Sequence, residues 1–302
     1  LSSGSAGFSQ RVVRIIGTQT GQNTLSRNVP EGKRKIMRIA FIGGGVMAQA
    51  IIAGVKDAGL DASIIVGEPF EMRRESLKND LGVEATDNNK EAVTGADIIV
   101  LAVKPQQLDA VAGELKGVLN SDQTVLSIMA GVKMHSIGLK LGHTKLIRVM
   151  PNTPAQIRKG ISAWHASDSV DQATIDFVGS MLKAIGDELK FSDEKNIDIA
   201  TALSGSGPGY VFVMIEALAD AGVELGLPVH VARHLASQTV LGSAALQRES
   251  GKHPAELRNM VTSPGGTTAA GLAELENGAF RATIANAVRS AYERGEELAG
   301  GK

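Results

Sequence analysis

The feature that most constrains the fold is a short apolar strand that runs directly into glycines. Residues 38–48 read RIAFIGGGVMA, and apolar residues at helical spacing follow. The spacing is G-x-G-x-x-A: Gly43 allows a tight turn, Gly45 lets the backbone approach a ligand, and Ala48 permits close packing of a helix on a strand. A strand, a glycine turn and a helix in this order predict a βαβ unit that binds the pyrophosphate of a dinucleotide.

The chain continues as an alternation of strand-like and helix-like segments. The clearest strand is Asp97–Val103, a nearly continuous apolar run that is typical of a strand covered on both faces. The alternation predicts an α/β fold with a doubly wound parallel sheet of the Rossmann type, which binds ligands at the carboxyl ends of its strands. Further predicted strands are Ser63–Val66, Thr124–Ile128, Lys145–Val149 and Ile161–Trp164, and predicted helices are Glu71–Leu81, Leu108–Leu119 and Ala173–Ile185.

Polar residues follow two of these strands at the predicted ligand edge. Lys104 comes directly after the most apolar strand and suits a cofactor or a substrate carboxylate; a solvated loop lysine is the alternative. In Met150–Pro154 two prolines fix an extended bend, which presents Asn152 and Thr153 with little conformational freedom. Because a rigid amide and hydroxyl suit the nicotinamide carboxamide and the ribose, this edge is the predicted nicotinamide pocket.

The choice between NADH and NADPH depends on the end of the second strand. Glu68 lies about 23 residues after Gly45, where an acid binds the ribose 2′-hydroxyl of NAD. A capping acid before the next helix is the alternative interpretation. Arg73 and Arg74 begin one helical turn later and could reach the 2′-phosphate of NADPH. We therefore expect a slight preference for NADH, with NADPH tolerated.

Beyond about Asn196 the pattern changes from strands to helices. The SGSGPG run at 204–209 has no preceding strand and no Lys-Ser/Thr after it, so it predicts a helix kink with close backbone contact rather than a phosphate loop. Helices rich in alanine and glycine bury little area each, which suggests that they interlock with a second copy. The predicted helices are Asn196–Leu203, Tyr210–Leu225, Val229–Gln247 and Phe280–Leu298.

A second anion site is predicted near the end of the chain. The helical segment Pro254–Val261 leads into TSPGGTT at 262–268, and a new helical pattern follows at once. The proline cannot continue a helix, and the glycines leave the backbone free to approach a ligand. The N–H groups of Gly266, Thr267 and Thr268 would be unpaired first-turn donors that suit a small carboxylate. An ordinary capped helix start is the alternative.

The stretch His253–Glu276 resembles the signature region of the pyrroline-5-carboxylate reductases, which make proline by reducing a cyclic imine. The resemblance implies that the helical half is a dimerisation domain whose loops complete the active site. It implies catalytic roles for Thr268, which would bond the ring nitrogen, and Lys104. The expected substrate contacts are Ser263, Gly265, Gly266, Thr267 and Thr268. The cofactor contacts expected from motifs and resemblance together are Gly43, Gly45, Val46, Met47, Glu68, Ala102, Val103, Lys104, Pro105, Ala130, Gly131, Asn152 and Thr153.

The expected organisation is a leader at 1–36, a dinucleotide-binding Rossmann domain at 37–195 and a helical dimerisation and substrate-binding domain at 196–302. The basic, Ser- and Gly-rich leader fits a non-native or mispredicted extension better than a targeting peptide. A formal net charge of −1 gives no bias towards nucleic acid or membranes. The absence of cysteine excludes thiol chemistry. We expect a cytoplasmic homodimer without a metal site, with further assembly left open.

Three other functions share parts of this pattern. A β-hydroxyacid dehydrogenase would use a catalytic lysine on the helix that links the two domains, where the chain offers Lys195. A reductase dependent on coenzyme F420 would share the first half but lack the SPGGTT sequence. A binding protein that senses nucleotides could keep the fold without activity, although intact Lys104, Ser263 and Thr268 argue against that.

Overall fold

The computed structural model describes residues 36–300 of the chain. The expectation of a leader at 1–36 therefore lies, apart from Ile36, outside the described residues. Within them, a sheet half built from strands and helices precedes a helical half, and the change falls close to residue 195. The sequence predicted this change of pattern near Asn196.

The sheet half is organised around one eight-stranded sheet within residues 36–300. Its strands are β1 Met37–Ile42, β2 Ala62–Gly67, β3 Glu84–Thr86, β4 Ile98–Leu101, β5 Thr124–Ser127, β6 Leu146–Met150, β7 Gly160–Ala166 and β8 Gly186–Lys190. They lie in the order β3-β2-β1-β4-β5-β6-β7-β8. Strands β1 to β6 pair in parallel, so their carboxyl ends share one edge. The strand order reverses between β1 and β4, which is where doubly wound sheets open a crevice for ligands.

The last two strands depart from the parallel arrangement that the sequence predicted. Strand β7 pairs antiparallel with β6, with Ile147 opposite Ala166, and β8 then runs parallel to β7. The connection between β6 and β7 is residues 151–159, which hold only a 3₁₀ turn at Thr153–Ile157. A parallel return needs a crossover of about a dozen residues or more, so this short connection forces β7 to reverse.

Helices cover both faces of the sheet, because successive strand residues point to opposite sides. On β1, Ile39 and Phe41 belong to one buried cluster, while Ala40 and Ile42 belong to the other. The first cluster packs under α1 Val46–Asp57, α2 Glu71–Leu81 and α6 Gln172–Lys183; the second packs under α3 Asn89–Val93, α4 Leu108–Leu115 and α5 Met134–Leu141. The sequence predicted α1, α2, α4 and α6, and the doubly wound class is confirmed.

The helical half leaves much of its apolar surface uncovered. Its elements are α7 Lys195–Ala200, a π-helical turn at Thr201–Gly205, α8 Gly207–Glu224, α9 Val229–Ser250, α10 Pro254–Met260, α11 Thr267–Asn277 and α12 Phe280–Leu298. The buried cluster between α8 and α9 consists of Ala219, Ala232 and Ala236. By contrast Phe212, Val213 and Leu241 are each more than half exposed. An apolar surface of this breadth marks an interaction site. Among the described residues, no helix is both long and apolar enough to span a membrane.

A buried ion cluster joins the two halves. Arg148 on β6 is 1% exposed, and its guanidinium contacts Glu194 Oε1 at 3.0 Å and Asp198 Oδ1 at 2.5 Å. Glu194 Oε1 also accepts the N–H of Met134, the first residue of α5, at 2.7 Å. Since Asp198 lies on α7, the cluster fixes this helix against β6. Helix α7 in turn leads directly into the π-helical turn.

Candidate functional site

The carboxyl ends of β1, β4, β5 and β6 surround a cavity of about 380 Å³. We call it the switch-point cavity, because it opens where the strand order reverses. The described residues of its wall include no Asp, Glu or His and are mostly apolar or backbone, with Lys104 at an exposed position. The cavity is lined by Gly45, Val46, Met47, Ala102, Val103, Lys104, Pro105, Ile128, Met129, Ala130, Met150, Pro151, Asn152, Thr153 and Gly205.

The glycine turn after β1 has the geometry that a dinucleotide requires. Gly43 has φ +97°, and a Cβ at this position would lie 2.9 Å from the carbonyl oxygen of Ala102. A Cβ added at Gly45 would meet no described atom within 4 Å, so the backbone there faces open space. Gly45 is also the N-cap of α1, whose first-turn N–H groups point towards the cap. Open space at a helix N-terminus fits a pyrophosphate, so these residues fit a nicotinamide dinucleotide.

We expect the Gly43→Ala substitution to raise KM for NADH and NADPH alike by about tenfold. Alanine at positive φ costs about 1–2 kcal/mol, and its Cβ would push against the carbonyl of Ala102, which directly follows β4. The matched control is Gly59→Ala. Gly59 also has a positive φ, +64°, but an added Cβ there would meet no described atom within 4 Å. Steady-state kinetics with each cofactor would check this result. Equal KM changes in the two variants would show that backbone strain alone, and not the shape of the turn, is responsible.

Asn152 connects the cavity to the helical half rather than presenting a free amide. Its Nδ2 donates to the carbonyl oxygen of Ser204 at 3.1 Å, and its Oδ1 accepts the N–H of Ile161 at 3.0 Å. Both polar atoms of the side chain are therefore engaged within the chain, and the residue is 9% exposed. Thr153 is exposed and begins the 3₁₀ turn. Of this predicted pair, only Thr153 offers a side chain that is open to a ligand.

The sequence did not identify Gly205 as a cavity residue. Gly205 is the last residue of the π-helical turn, and a Cβ added to it would lie 2.7 Å from the Cε of Met150. The close backbone contact predicted for SGSGPG is thus present, and it lies against β6 at the wall of the cavity. Single π-helical turns are frequent at functional sites. The three glycines of the run were the available signal, but which strand they approach depends on the tertiary fold.

Three residues expected to contact the cofactor lie outside the cavity lining. Gly43 sits behind it, with its N–H donating to the carbonyl of Gly67 at 2.8 Å. Gly131 lies beside Leu298 at the end of α12, with a separation of 3.6 Å for an added Cβ. Glu68, at the end of β2, is 2% exposed, and its Oε2 accepts the N–H of Gly44 at 3.0 Å. The glycine turn is therefore held from behind by a buried carboxylate.

The signature loop, residues 262–268, spans the turn after α10 and the first two residues of α11. Gly265 has φ +67°, and a Cβ on Gly266 would collide with the hydroxyl of Ser263. The N–H of Gly266 donates to the carbonyl of Ser263 at 3.0 Å, so the expectation that it is unpaired was wrong: a turn bond consumes it. Thr267 and Thr268 lie in the first turn of α11, which leaves its N–H groups without intrahelical acceptors. In the described chain, no residue of this loop lines the switch-point cavity.

Comparison with known proteins separates the same two halves. Residues 194–298 match the family model described as pyrroline-5-carboxylate reductase dimerisation, and residues 38–131 match the model described as NADP oxidoreductase coenzyme F420-dependent. A pyrroline-5-carboxylate reductase of Synechocystis sp. is 44% identical over 264 residues, covering 87% of this chain and 98% of the relative.

Solved structures agree with the sequence relatives over the same length. The pyrroline-5-carboxylate reductase of Coxiella burnetii has a TM-score of 0.82 at 38% identity, covering 87% of this chain and 99% of that one. The Plasmodium falciparum pyrroline carboxylate reductase, solved with NADP bound, has a TM-score of 0.78 at 31% identity, covering 87% and 98%. Identity above 30% over nearly whole relatives is decisive for the family, and the fold alone would not be.

Proposed function

This chain belongs to the pyrroline-5-carboxylate reductase family, and on that premise we propose that its sheet half holds the cofactor while its signature loop holds the substrate. The protein is an NAD(P)H-dependent oxidoreductase of proline biosynthesis. It reduces the imine of 1-pyrroline-5-carboxylate to give L-proline. The observation that carries the placement of the cofactor is the switch-point cavity beside the glycine turn.

In this proposal the chain positions the reactants and leaves the redox chemistry to the cofactor. A bound reduced nicotinamide supplies the hydride. The glycine turn and the first turn of α1 receive the pyrophosphate, and the cavity walls orient the nicotinamide. Lys104 lies at the exposed rim, where its charge favours the carboxylate of the substrate. Positioning of this kind can supply a large part of the rate enhancement of a two-substrate reaction.

The substrate carboxylate is proposed to bind at the signature loop. Because a turn bond consumes the N–H of Gly266, the available donors are the N–H groups of Thr267 and Thr268 and the hydroxyl of Ser263. Gly265 supplies the positive φ that the turn needs. A hydrogen bond to a charged group contributes about 1.5–3 kcal/mol, so two or three such bonds suffice to fix a small anion.

The proton for the ring nitrogen is not supplied by an acidic side chain of these segments. Neither the signature loop nor the described wall of the cavity contains Asp, Glu or His. A threonine hydroxyl such as that of Thr268 is a poor proton donor at neutral pH. We therefore infer that the substrate is bound already protonated, or that water supplies the proton. In the first case the iminium N–H donates to the hydroxyl oxygen of Thr268.

The protein is a homodimer, and the helical half provides the dimerisation domain. We propose that the domain boundary lies at 195/196 and that the loops of this half complete the active site on dimer formation. The position of the signature loop away from the cavity lining supports this proposal. Assembly beyond the dimer and a cytoplasmic location stay predictions.

We expect Phe212→Asp to convert the dimer into monomers that bind NADPH but turn over little substrate. Phe212 on α8 is 61% exposed in the single chain, and a carboxylate buried without a partner at a dimer interface is costly. Light scattering would report the mass, and nucleotide fluorescence would report binding. The control is Leu139→Asp on α5, which is 67% exposed in the sheet half. A fully active Phe212→Asp monomer would contradict completion of the site by the dimer.

Turnover of 1-pyrroline-5-carboxylate with NADH and with NADPH tests the proposed function, with proline identified as the product. A β-hydroxyacid dehydrogenase would instead require a base at Lys195. That side chain is exposed, its Nζ contacts Asp193 at 2.9 Å, and this hydrogen bond raises the pKa of Lys195. A more firmly protonated lysine outside the cavity lining is a poor general base, so this alternative loses its main candidate. Oxidation of a hydroxyacid, with no turnover of the imine, would reverse this conclusion.

A further inference from the structure

The carboxylate of Glu68 is a buried latch with three donors already in place. It accepts the N–H of Gly44 at 3.0 Å, the N–H of Phe70 at 3.1 Å and the Nη1 of Arg73 at 3.1 Å. Its side chain is 2% exposed. The latch therefore ties the glycine turn after β1 to the segment that follows β2. The carboxylate is therefore not an open acceptor for a ribose hydroxyl, because donors from the chain already occupy it.

This environment changes what Glu68 offers to a nucleotide. In NAD-dependent Rossmann enzymes, an acid at this position accepts the ribose 2′-hydroxyl. In this chain Oε2 of Glu68 is already shared by the N–H of Gly44 and the guanidinium of Arg73, and the side chain is almost fully buried. A 2′-hydroxyl would reach Oε2 by displacing one of these donors, and Arg73 is the donor that lies on the exposed side. The free energy lost by breaking the ion pair between Arg73 and the buried Glu68 would offset the free energy gained from one hydrogen bond to a hydroxyl group.

Arg73 itself is suited to an anion. Its side chain is 46% exposed, and its guanidinium carbon lies 5.3 Å from the ring centroid of Phe70, which restricts its orientation. A guanidinium carries five N–H donors in a planar fork, so one edge can stay on Glu68 while another binds a phosphate. Arg74 serves a different purpose, because its Nη1 donates to the backbone carbonyls of Glu68 and Pro69 at 2.9 and 2.8 Å.

We propose that Arg73 makes this enzyme select NADPH over NADH, by covering Glu68 on one side and binding the 2′-phosphate on the other. The inference rests on the proposed placement of the cofactor in the switch-point cavity. It reverses the direction expected from Glu68 alone, because the acid acts through the arginine and not on the ribose. The bridging guanidinium also screens the 2′-phosphate from the carboxylate, which would otherwise repel it.

The test compares the binding of two fragments that lack nicotinamide, ADP-ribose and 2′-phospho-ADP-ribose, by calorimetry on the full-length protein. We expect the unchanged enzyme to bind the phosphorylated fragment more tightly, and Arg73→Ala to weaken that fragment about tenfold relative to ADP-ribose. The control is Lys78→Ala, which removes the same charge from an exposed position further along α2 and should change neither affinity. The ratio of kcat/KM for NADPH and NADH should follow the fragment affinities.

A second variant distinguishes a latch from a hydroxyl acceptor. Glu68→Gln should weaken both fragments by similar factors, because it loosens the glycine turn that both pyrophosphates use. Selective loss of ADP-ribose binding would instead show that Glu68 accepts a hydrogen bond from the ribose 2′-hydroxyl, and would overturn the proposal. Parallel loss of both fragments in Arg73→Ala would overturn it as well. Failure of the unchanged enzyme to bind either fragment would refute the cofactor placement itself, whereas intact binding without imine turnover would refute only the proposed function.

Discussion

Replacing Arg148 by methionine is expected to destabilise the folded chain by about 3 kcal/mol, the largest effect on stability that we predict. The substitution keeps the length and apolar volume of the side chain but leaves Glu194 and Asp198 facing each other without a cation. Removing one partner of a buried ion cluster costs about 3–5 kcal/mol, and the lower value applies because the Glu194 side chain is 26% exposed. Thermal unfolding should show a fall in Tm of roughly 6–12 °C.

The control for this prediction removes the charges that the arginine balances. In the triple variant Arg148→Met, Glu194→Gln and Asp198→Asn, most of the lost stability should return, because no uncompensated carboxylate is left. Arg148→Lys should be intermediate, since an ammonium group can contact one carboxylate but cannot make the two-pronged contact of the guanidinium. If Arg148→Met unfolded at the temperature of the unchanged protein, the cluster would be no more than a surface ion pair in energetic terms.

The sequence predicted the sheet half well where apolar strands meet strong turn residues. The strands β1, β4 and β5 are buried on both faces, and their continuous apolar runs are visible without a structure. Strand β8 was missed because GDELK lies at the edge of the sheet, where most of its side chains are partly or fully exposed and no apolar run is needed. The helix α3 was missed because five residues give too little periodicity to recognise.

The residues that line the cavity also fall into two groups, those that the sequence could place there and those that depend on the tertiary fold. The residues of the glycine turn and Lys104 come directly after parallel strands. Because the carboxyl ends of parallel strands share one edge of the sheet, the sequence could predict that these residues lie together. Gly205 and the bonds of Asn152 depend instead on how α7 docks against β6, which is a contact across the domain junction. The latch at Glu68 is of the same kind, because Gly44 and Arg73 belong to different segments and only the fold brings both to the same carboxylate oxygen. Motifs locate main-chain sites, whereas side-chain partners need the tertiary structure.

Thr268→Ala is expected to lower kcat/KM for 1-pyrroline-5-carboxylate by roughly 10- to 150-fold, mainly through kcat, with little change in cofactor affinity. The proposed role of this hydroxyl is to accept a hydrogen bond from the protonated ring nitrogen, and a bond to a charged group contributes about 1.5–3 kcal/mol. Its backbone N–H remains in the first turn of α11, so the carboxylate site should survive the substitution. Stopped-flow and steady-state measurements with NADPH would separate the two parameters.

Two neighbouring substitutions sharpen this prediction. Thr268→Val keeps the branched shape and removes only the hydroxyl, so it should match alanine, while Thr268→Ser should retain most of the activity. Thr94→Ala serves as a distant control, because that hydroxyl donates to the carbonyl of Lys90 at the end of α3 and should not affect turnover. If Thr268→Val were fully active, the hydroxyl would have no part in binding the ring nitrogen, and a water molecule would have to take its place. If cofactor affinity fell as steeply as kcat, the hydroxyl would belong to the nucleotide site and not to the imine.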